Sequence, residues 1–453
     1  QWVDSVNKKT FDVNNPYTGE LLYKSVNCDT HEAEKAVAAA RESFEKWSRE
    51  TTAKQRGAVL RKWYDIFVEK EHQLSQLLTL EQGKPLVEAR GEINYSAAFF
   101  DWYAGEARRI YGQVVSPAVL NREHIHIREP VGVAVLITPW NFPTAMIARK
   151  AGAALAAGCT LVVKPAEDTP LSALALAQTS EEAGLPAGVF NVIPADRKNT
   201  AKISKYLCEN TDLLLAQSAS TVKRVCLELG GNAPFLVFDT ADLDLAVKGA
   251  MASKFRCSGQ TCVAANRFFV HEKVHDDFVT KIVSAMKLLV VGDGMDPKTT
   301  IGPLINDSAV KKINELLKDA IAKGARVLLG GKRGSGSCFQ PTLITGVTDQ
   351  MCIAHSEIFG PVVAVQKFSS ETSVLNMANN TRSGLAGYVF SGDSAQIYRV
   401  TRRLQVGMIG VNEGLMSSAE AAFGGVKESG LGREGSAQGI DEFTQWKYIC
   451  TQH

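Results

Sequence analysis

Apolar residues recur at three- and four-residue intervals over His31–Glu50, Ala53–Glu81 and Leu86–Ile110. That spacing predicts three helices, each burying one face. The period then shortens: His124-Ile125-His126-Ile127-Arg128 alternates polar with apolar, as a ribbon with one polar face does. From Val131 the two rhythms take turns. The predicted order is strand Gly132–Thr138, helix Thr144–Ala157, strand Thr160–Lys164, helix Leu171–Ala183, strand Val189–Ile193 and helix Asn199–Asn210. Apolar strands separated by helices predict a parallel, doubly wound sheet, which binds nucleotides at the carboxyl ends of its strands. A second α/β series begins near Ala233, with strands at Phe235–Phe238, Arg267–His271, Arg326–Leu329, Val362–Phe368, Gly387–Phe390 and Met408–Val411. Strand character returns at Lys447–Cys450, and no internal repeat interrupts the chain.

One place breaks the alternation. After Asn199–Asn210 a strand is due, yet the chain passes from Thr211-Asp212 into helix-like Leu213–Ser220. Either that crossover is lost or its residues are not represented.

Composition narrows the class. A chain of 453 residues, 45% apolar, buries a large core and divides into two or three domains. Fifty basic against 48 acidic residues leave a net charge of +2, without a basic run to suggest nucleic acid or a membrane surface. The apolar stretch from Val131 is broken by Thr138, Pro139 and Asn141, too soon to span a bilayer, so a soluble protein is expected. Nine cysteines, odd in number and irregular in spacing, form no metal-binding pattern and imply a reducing compartment. The polar opening at Gln1 does not read as a signal peptide, and none is expected. Gln1 is not an initiator methionine, so a removed targeting segment stays open.

Three segments carry candidate chemistry. Phe255-Arg-Cys-Ser-Gly-Gln-Thr-Cys262 places Cys262 on a turn between a helix and a strand, where backbone N–H groups converge on an oxyanion. A thiolate attacks carbonyls readily and a turn exposes it, although a lone cysteine is more often structural. Leu227-Glu228-Leu-Gly-Gly231 sets Glu228 at a strand end, partly desolvated, which raises a carboxyl pKa toward that of a general base. The plainer reading is a glutamate capping the next loop. Thr138-Pro139-Trp140-Asn141-Phe142-Pro143 follows the first parallel strand, and the Asn141 amide can donate to a developing oxyanion. It is equally a proline-rich turn closing a strand.

Together these segments resemble the aldehyde dehydrogenase superfamily from about Thr10 to the carboxyl end. The resemblance rests on six motifs in order: P-W-N-F-P at 139–143, K-P-A-E at 164–167, E-L-G-G at 228–231, G-Q-T-C at 259–262, E-I-F-G-P at 357–361 and A-F-G-G-V-K-E-S-G at 422–430. It implies two doubly wound α/β domains plus a small β ribbon. The cofactor domain would take 1–108 and 131–229, the catalytic domain 230–420, and the oligomerisation arm and tail 109–130 and 421–453. It implies Cys262 as nucleophile, Glu228 as base, and an oxyanion hole from the Asn141 amide and the Cys262 N–H. It sets the cofactor, a nicotinamide dinucleotide, against Thr138, Pro139, Trp140, Lys164, Pro165, Glu167, Gly230, Glu357 and Phe359. Lys164 and Glu167 would hold the adenosine ribose, Glu357 the nicotinamide ribose, and Phe359 would flank the nicotinamide. No metal is implied.

Within the superfamily the chain is most similar to the succinate semialdehyde dehydrogenases, through Ala145-Met-Ile-Ala-Arg-Lys150, Phe255-Arg-Cys-Ser-Gly-Gln260, Val411-Asn-Glu-Gly-Leu-Met-Ser-Ser418 and Gly432-Arg-Glu-Gly-Ser436. That likeness implies Arg149, Arg256 and Ser417 around the substrate's far carboxylate, a sound use of arginine, whose fork binds carboxylate bidentately. The plainer readings are a surface ion pair for Arg149 and a helix-end arginine for Arg256. Glu167 would repel a 2′-phosphate, which favours NAD over NADP.

Two departures stand out. Relatives often pair the nucleophile with a second cysteine two residues on; here that position is Ala264, so such a disulfide switch is expected to be absent. Cys257 is a conceivable substitute, though a structural role is the better reading. The Gly-Ser-Thr turn that the resemblance places after Asp212, leading to a helix at the cofactor pyrophosphate, is also missing, so its contacts have no counterpart here. Alternatives are another semialdehyde, such as glutarate semialdehyde, a broad-range aldehyde, or a non-catalytic structural relative. A short ribbon needs a partner sheet, so a homo-oligomer, a dimer of dimers, is expected. The compartment is the mitochondrial matrix if a transit peptide was removed, otherwise the cytoplasm.

Overall fold

A computed structural model describes residues 2–214 and 223–453. Its first sheet has five parallel strands in the order Phe190–Val192, Thr160–Lys164, Val133–Ile137, Leu213–Leu214, Arg224–Val225. The seven-stranded second sheet runs Arg326–Leu329, Thr342–Thr345, Val362–Phe368, Ala265–His271, Ala233–Val237, Ala386–Phe390, Met408–Val411. Only its first strand is antiparallel. The alternating rhythm predicts most of both sheets; the sequence reading passed over Leu213–Leu214, Arg224–Val225 and Thr342–Thr345. Gln113–Val115, Arg122–Pro130 and Thr444–Gln452 form the separate antiparallel ribbon.

The structure corrects the broken alternation. Leu213–Leu214 is a strand, not the start of a helix, and pairs in parallel with Ala134–Val135. Asp212 holds it there: its backbone N–H donates to the Val133 carbonyl at 3.1 Å and its carboxylate accepts from the Val133 N–H at 3.0 Å. The rest of that expected helix, 215–220, lies outside the described residues. A smaller correction falls at Lys70, where the expected helix Ala53–Glu81 divides into Ala53–Glu69 and Glu71–Gln82.

The early helices pack on the first sheet. Trp63 stacks on Phe100 at 4.1 Å and meets Phe190 edge-on, so the helices Ala53–Glu69 and Leu86–Glu106 share one core with the strand Phe190–Val192. Buried Glu81 accepts from the Leu171 and Ser172 N–H groups, closing the first turn of the helix Pro170–Ala183. The second core is aromatic, with Phe235 stacked on Phe390 at 4.7 Å beneath the helix Leu243–Phe255. Among the described residues no helix is long and apolar enough to cross a membrane.

Candidate active site

The strand Val133–Ile137 ends beside Lys164 of its neighbour, and the chain turns through Thr138–Thr144 into the helix Ala145–Ala157. That turn is anchored from below. Glu92 accepts from the Thr144 N–H at 2.9 Å, the Thr144 hydroxyl at 2.8 Å and the Ala145 N–H at 3.3 Å, doing the work of a cap. Its other oxygen meets Lys84 Nζ at 2.6 Å, both side chains fully buried. Lys84 also donates to the Asn141 carbonyl at 2.8 Å and lies 3.9 Å from the centre of the Phe142 ring. The Asn141 backbone is thus held by a buried ion pair, and its side chain is left to act. Asn141 Nδ2 donates to the Gln260 carbonyl at 2.9 Å, tying this turn to the loop that carries Cys262.

That loop owes its shape to three successive left-handed residues, Cys257, Ser258 and Gly259. At Gly259 a Cβ would lie 2.3 Å from the Gly360 carbonyl oxygen, so no side chain fits. Gln260 locks the loop by donating to the Cys257 carbonyl at 3.1 Å and accepting from the Ile305 N–H at 2.9 Å. The Glu228–Gly231 segment packs against its far end, and a Cβ at Gly231 would come within 2.3 Å of the Cys262 carbonyl oxygen. Cys262 and Glu228 lie close enough for each to shift the proton affinity of the other.

The electrostatics follow from that pairing. Burial, then the charge of Glu228, raises the Cys262 thiol well above its ordinary value, with Arg149 opposing. Burial, then Glu434, raises Glu228 to about 7, opposed by Lys150 and Arg149. Oε1 of Glu228 is sealed from solvent and has no protein partner among the described residues. At rest the pair is a neutral thiol beside a carboxyl group poised near neutrality.

Arg149 is not the surface residue of its plainer reading. Its side chain is 1% exposed, with Nη2 donating to the Tyr95 hydroxyl at 2.7 Å and Nη1 reaching Glu434 at 3.4 Å. Glu434 also pairs with Lys150 at 2.8 Å. Arg256, half-buried at the end of the helix Leu243–Phe255, lies 5.1 Å from the centre of the Phe142 ring. Ser417 is half-buried, and among the described residues no hydrogen bond or ion pair joins it to either arginine. Cys257 remains a free thiol that accepts from Gln82 at 3.3 Å and donates to the Asn141 carbonyl at 3.6 Å.

The expected cofactor residues line two neighbouring edges. Thr138 donates to the Lys164 carbonyl at 3.2 Å, and the buried Lys164 ammonium sits 3.8 Å from Glu167, with Pro165 buried between them in sequence. Glu357 accepts from the Gly231 N–H at 2.9 Å, and a Cβ at Gly230 would lie 2.9 Å from its second oxygen. Trp140 joins the two edges, its ring meeting Phe359 edge-on at 5.6 Å; Phe359 is itself left-handed. Pro139 is exposed on the rim. A glycine floor, ribose-sized donors and acceptors, and two aromatic rings suit a dinucleotide.

Sequence reasoning missed Lys84, Glu92, Tyr95, Lys150, Glu434 and the anchoring role of Gln260. Their side chains converge from separate elements; Lys150, Gln260 and Glu434 lay in segments already singled out, while Lys84, Glu92 and Tyr95 did not.

Comparison with known proteins places the chain. The pattern of the aldehyde dehydrogenase family matches residues 2–449. The mitochondrial succinate-semialdehyde dehydrogenase of Rattus norvegicus is 52% identical over 458 residues, covering 97% of this chain and 87% of that protein. A crystal structure of succinate-semialdehyde dehydrogenase from Burkholderia pseudomallei superposes with a TM-score of 0.97 at 47% identity, covering 100% of this chain and 96% of that one. An E. coli structure described as an NADP dependent enzyme gives 0.98 at 45% identity, covering 100% and 97%. This chain belongs to the aldehyde dehydrogenase family.

Proposed function

We propose that this aldehyde dehydrogenase oxidises succinate semialdehyde to succinate, with Cys262 as nucleophile and Glu228 as base. One feature carries the chemistry: the Cys262 thiol lies beside a carboxyl group that burial raises to about 7. The Cys262 sulfur bonds to the aldehyde carbon while its proton passes to Glu228. The free hydrogen on Asn141 Nδ2 and the Cys262 N–H receive the new alkoxide, and such a donor is worth about 3–4 kcal/mol of barrier. A bound nicotinamide dinucleotide supplies the hydride acceptor for this oxidation. On the chain, the thiohemiacetal gives way to a thioester. Glu228 releases the thiol proton to solvent and, as a carboxylate again, takes a proton from water. The hydroxide adds to the thioester carbon, the C–S bond breaks, and the departing sulfur takes the proton back from Glu228 as the acid leaves. Lys164 and Glu167 would hold the adenosine ribose and Glu357 the other, with Thr138, Pro139, Trp140, Pro165, Gly230 and Phe359 forming the walls.

Two relatives named for succinate semialdehyde support the substrate. So does Arg149, a buried cation close enough to act on both Cys262 and Glu228. Arg256 and Ser417 complete the proposed carboxylate site. The initial rate of NADH formation should favour succinate semialdehyde over butanal, and Arg256→Ala should collapse that preference. Equal activity on both aldehydes, unaffected by the substitution, would sink the substrate assignment and keep the dehydrogenase.

NAD is the proposed cofactor, since the Glu167 carboxylate repels a 2′-phosphate. The E. coli neighbour makes this a real contest. Glu167→Ala should narrow the ratio of kcat/KM for NAD over NADP, and a native preference for NADP would refute the assignment. The same reading gives 1–108 and 131–229 to cofactor binding and 230–420 to catalysis. It assigns the ribbon to a homo-oligomer, a dimer of dimers, and, with a relative named as mitochondrial, the chain to the matrix.

A further inference from the structure

We propose that Tyr95 is a positioning residue that aims Arg149 at the substrate's far carboxylate and so sets the preference for an anionic aldehyde. The proposal rests on the role given above to Arg149. That guanidinium lies among three rings, 4.3 Å from the centre of Phe423, 5.3 Å from that of Phe99 and 5.6 Å from that of Tyr95 itself. Two groups compete for its nitrogens. Glu434 is an internal carboxylate, and a close, bidentate pair with it would occupy the fork that a substrate carboxylate needs. The contact is instead long, 3.4 Å through Nη1 alone, while Lys150 holds the other oxygen of Glu434 at 2.8 Å. Tyr95 takes Nη2 at 2.7 Å. A phenol accepts that bond without cancelling the cation, so the charge stays available. Arg149 Nε is buried with no protein partner among the described residues, leaving one donor of the fork unused.

The fold gives Tyr95 little freedom. It lies on the helix Leu86–Glu106 one turn before Phe99, their rings 4.8 Å apart, and packs beside Phe142, Ala145 and Met146 next to the Asn141 turn. Its own hydroxyl proton has no acceptor among the described residues. Without the hydroxyl, Nη2 is freed and Arg149 is drawn further onto Glu434.

Tyr95→Phe tests this, because it keeps the ring and removes only the hydroxyl. KM for succinate semialdehyde should rise about tenfold, as loss of a bond to a charged group predicts, with kcat changed less than about twofold. KM for butanal, which has no far carboxylate, should move by less than about twofold, and the Kd of succinate should weaken in step with the semialdehyde KM. Equal KM changes for the two aldehydes would make Tyr95 a packing residue and overturn the proposal; so would no change for either. Arg149→Met separates the two readings. If it abolishes the preference while Tyr95→Phe does not, only the role of Tyr95 falls. If Arg149→Met, or succinate binding to it should turnover be lost, retains the preference, the carboxylate site itself is elsewhere.

Discussion

Two glutamates flank the proposed oxyanion site, and they are treated in opposite ways. The Glu92 carboxylate is saturated: Lys84 on one oxygen, and the Thr144 N–H, Thr144 hydroxyl and Ala145 N–H on the other. Glu228 is left short, with the Cys262 thiol nearby, no ion pair among the described residues and one oxygen without a partner. Glu92 is buried and Glu228 half-buried, with its Oε1 sealed from solvent. The saturated carboxylate builds the turn that aims Asn141. The starved one resists ionisation and is raised to about 7, which makes it useful as a base. The supply of polar partners separates scaffold from chemistry here.

Removing the starved carboxylate should have the largest effect. In Glu228→Gln, steady-state turnover at pH 7.5 should fall about a thousandfold, because no group remains to activate water. Rapid mixing should still detect some NADH bound up with an unhydrolysed thioester; full steady-state turnover would remove Glu228 from the mechanism. Next comes the saturated pair. Lys84→Met leaves Glu92 charged and unpaired in the core, so denaturant unfolding should show a loss of about 3–5 kcal/mol. Turnover per folded molecule should fall as well, since Asn141 loses its anchor. Unchanged stability would mean that the pair is not holding the turn.

The smallest effect has the opposite sign. Glu228 titrates near 7 in the fold and near 4.5 when unfolded, so ionising it costs the native state free energy. That stability is fully present below pH 4.5 and is lost as pH rises through 7. Glu228→Gln should therefore raise unfolding stability by on the order of 2 kcal/mol at pH 8, with no gain at pH 4. A variant less stable than the parent at pH 8 would show that Glu228, too, serves the scaffold.

The same contrast explains what could be read in the sequence. Glu228 and Cys262 announce themselves because glycine must surround them: at Gly231 and Gly259 backbone atoms approach too closely for any side chain, which leaves local motifs. The strand Thr160–Lys164 was legible because both its faces are buried and its run is apolar throughout. Lys84 and Glu92 carry no such mark. They look like ordinary charges at a helix start until the fold brings the Asn141 turn down on them. Tyr95 and Glu434 meet across Arg149 from residues far apart in the chain. The error at Leu213 has a different origin: a two-residue strand is too short to display a period, so the apolar residues after Asp212 suit a helix equally well.

The raised thiol of Cys262 bears on how the protein survives between turnovers. Peroxide attacks thiolates, and a cysteine kept protonated by burial and by Glu228 offers little of that form while idle. Ala264 stands where a neighbouring thiol could have captured a sulfenic acid, and Cys257 turns its sulfur toward Gln82 and the Asn141 carbonyl. The chain has thus traded repair for concealment. Oxidative damage should fall on molecules caught in mid-reaction, and ageing in an oxidising cell should track how hard the protein has been worked.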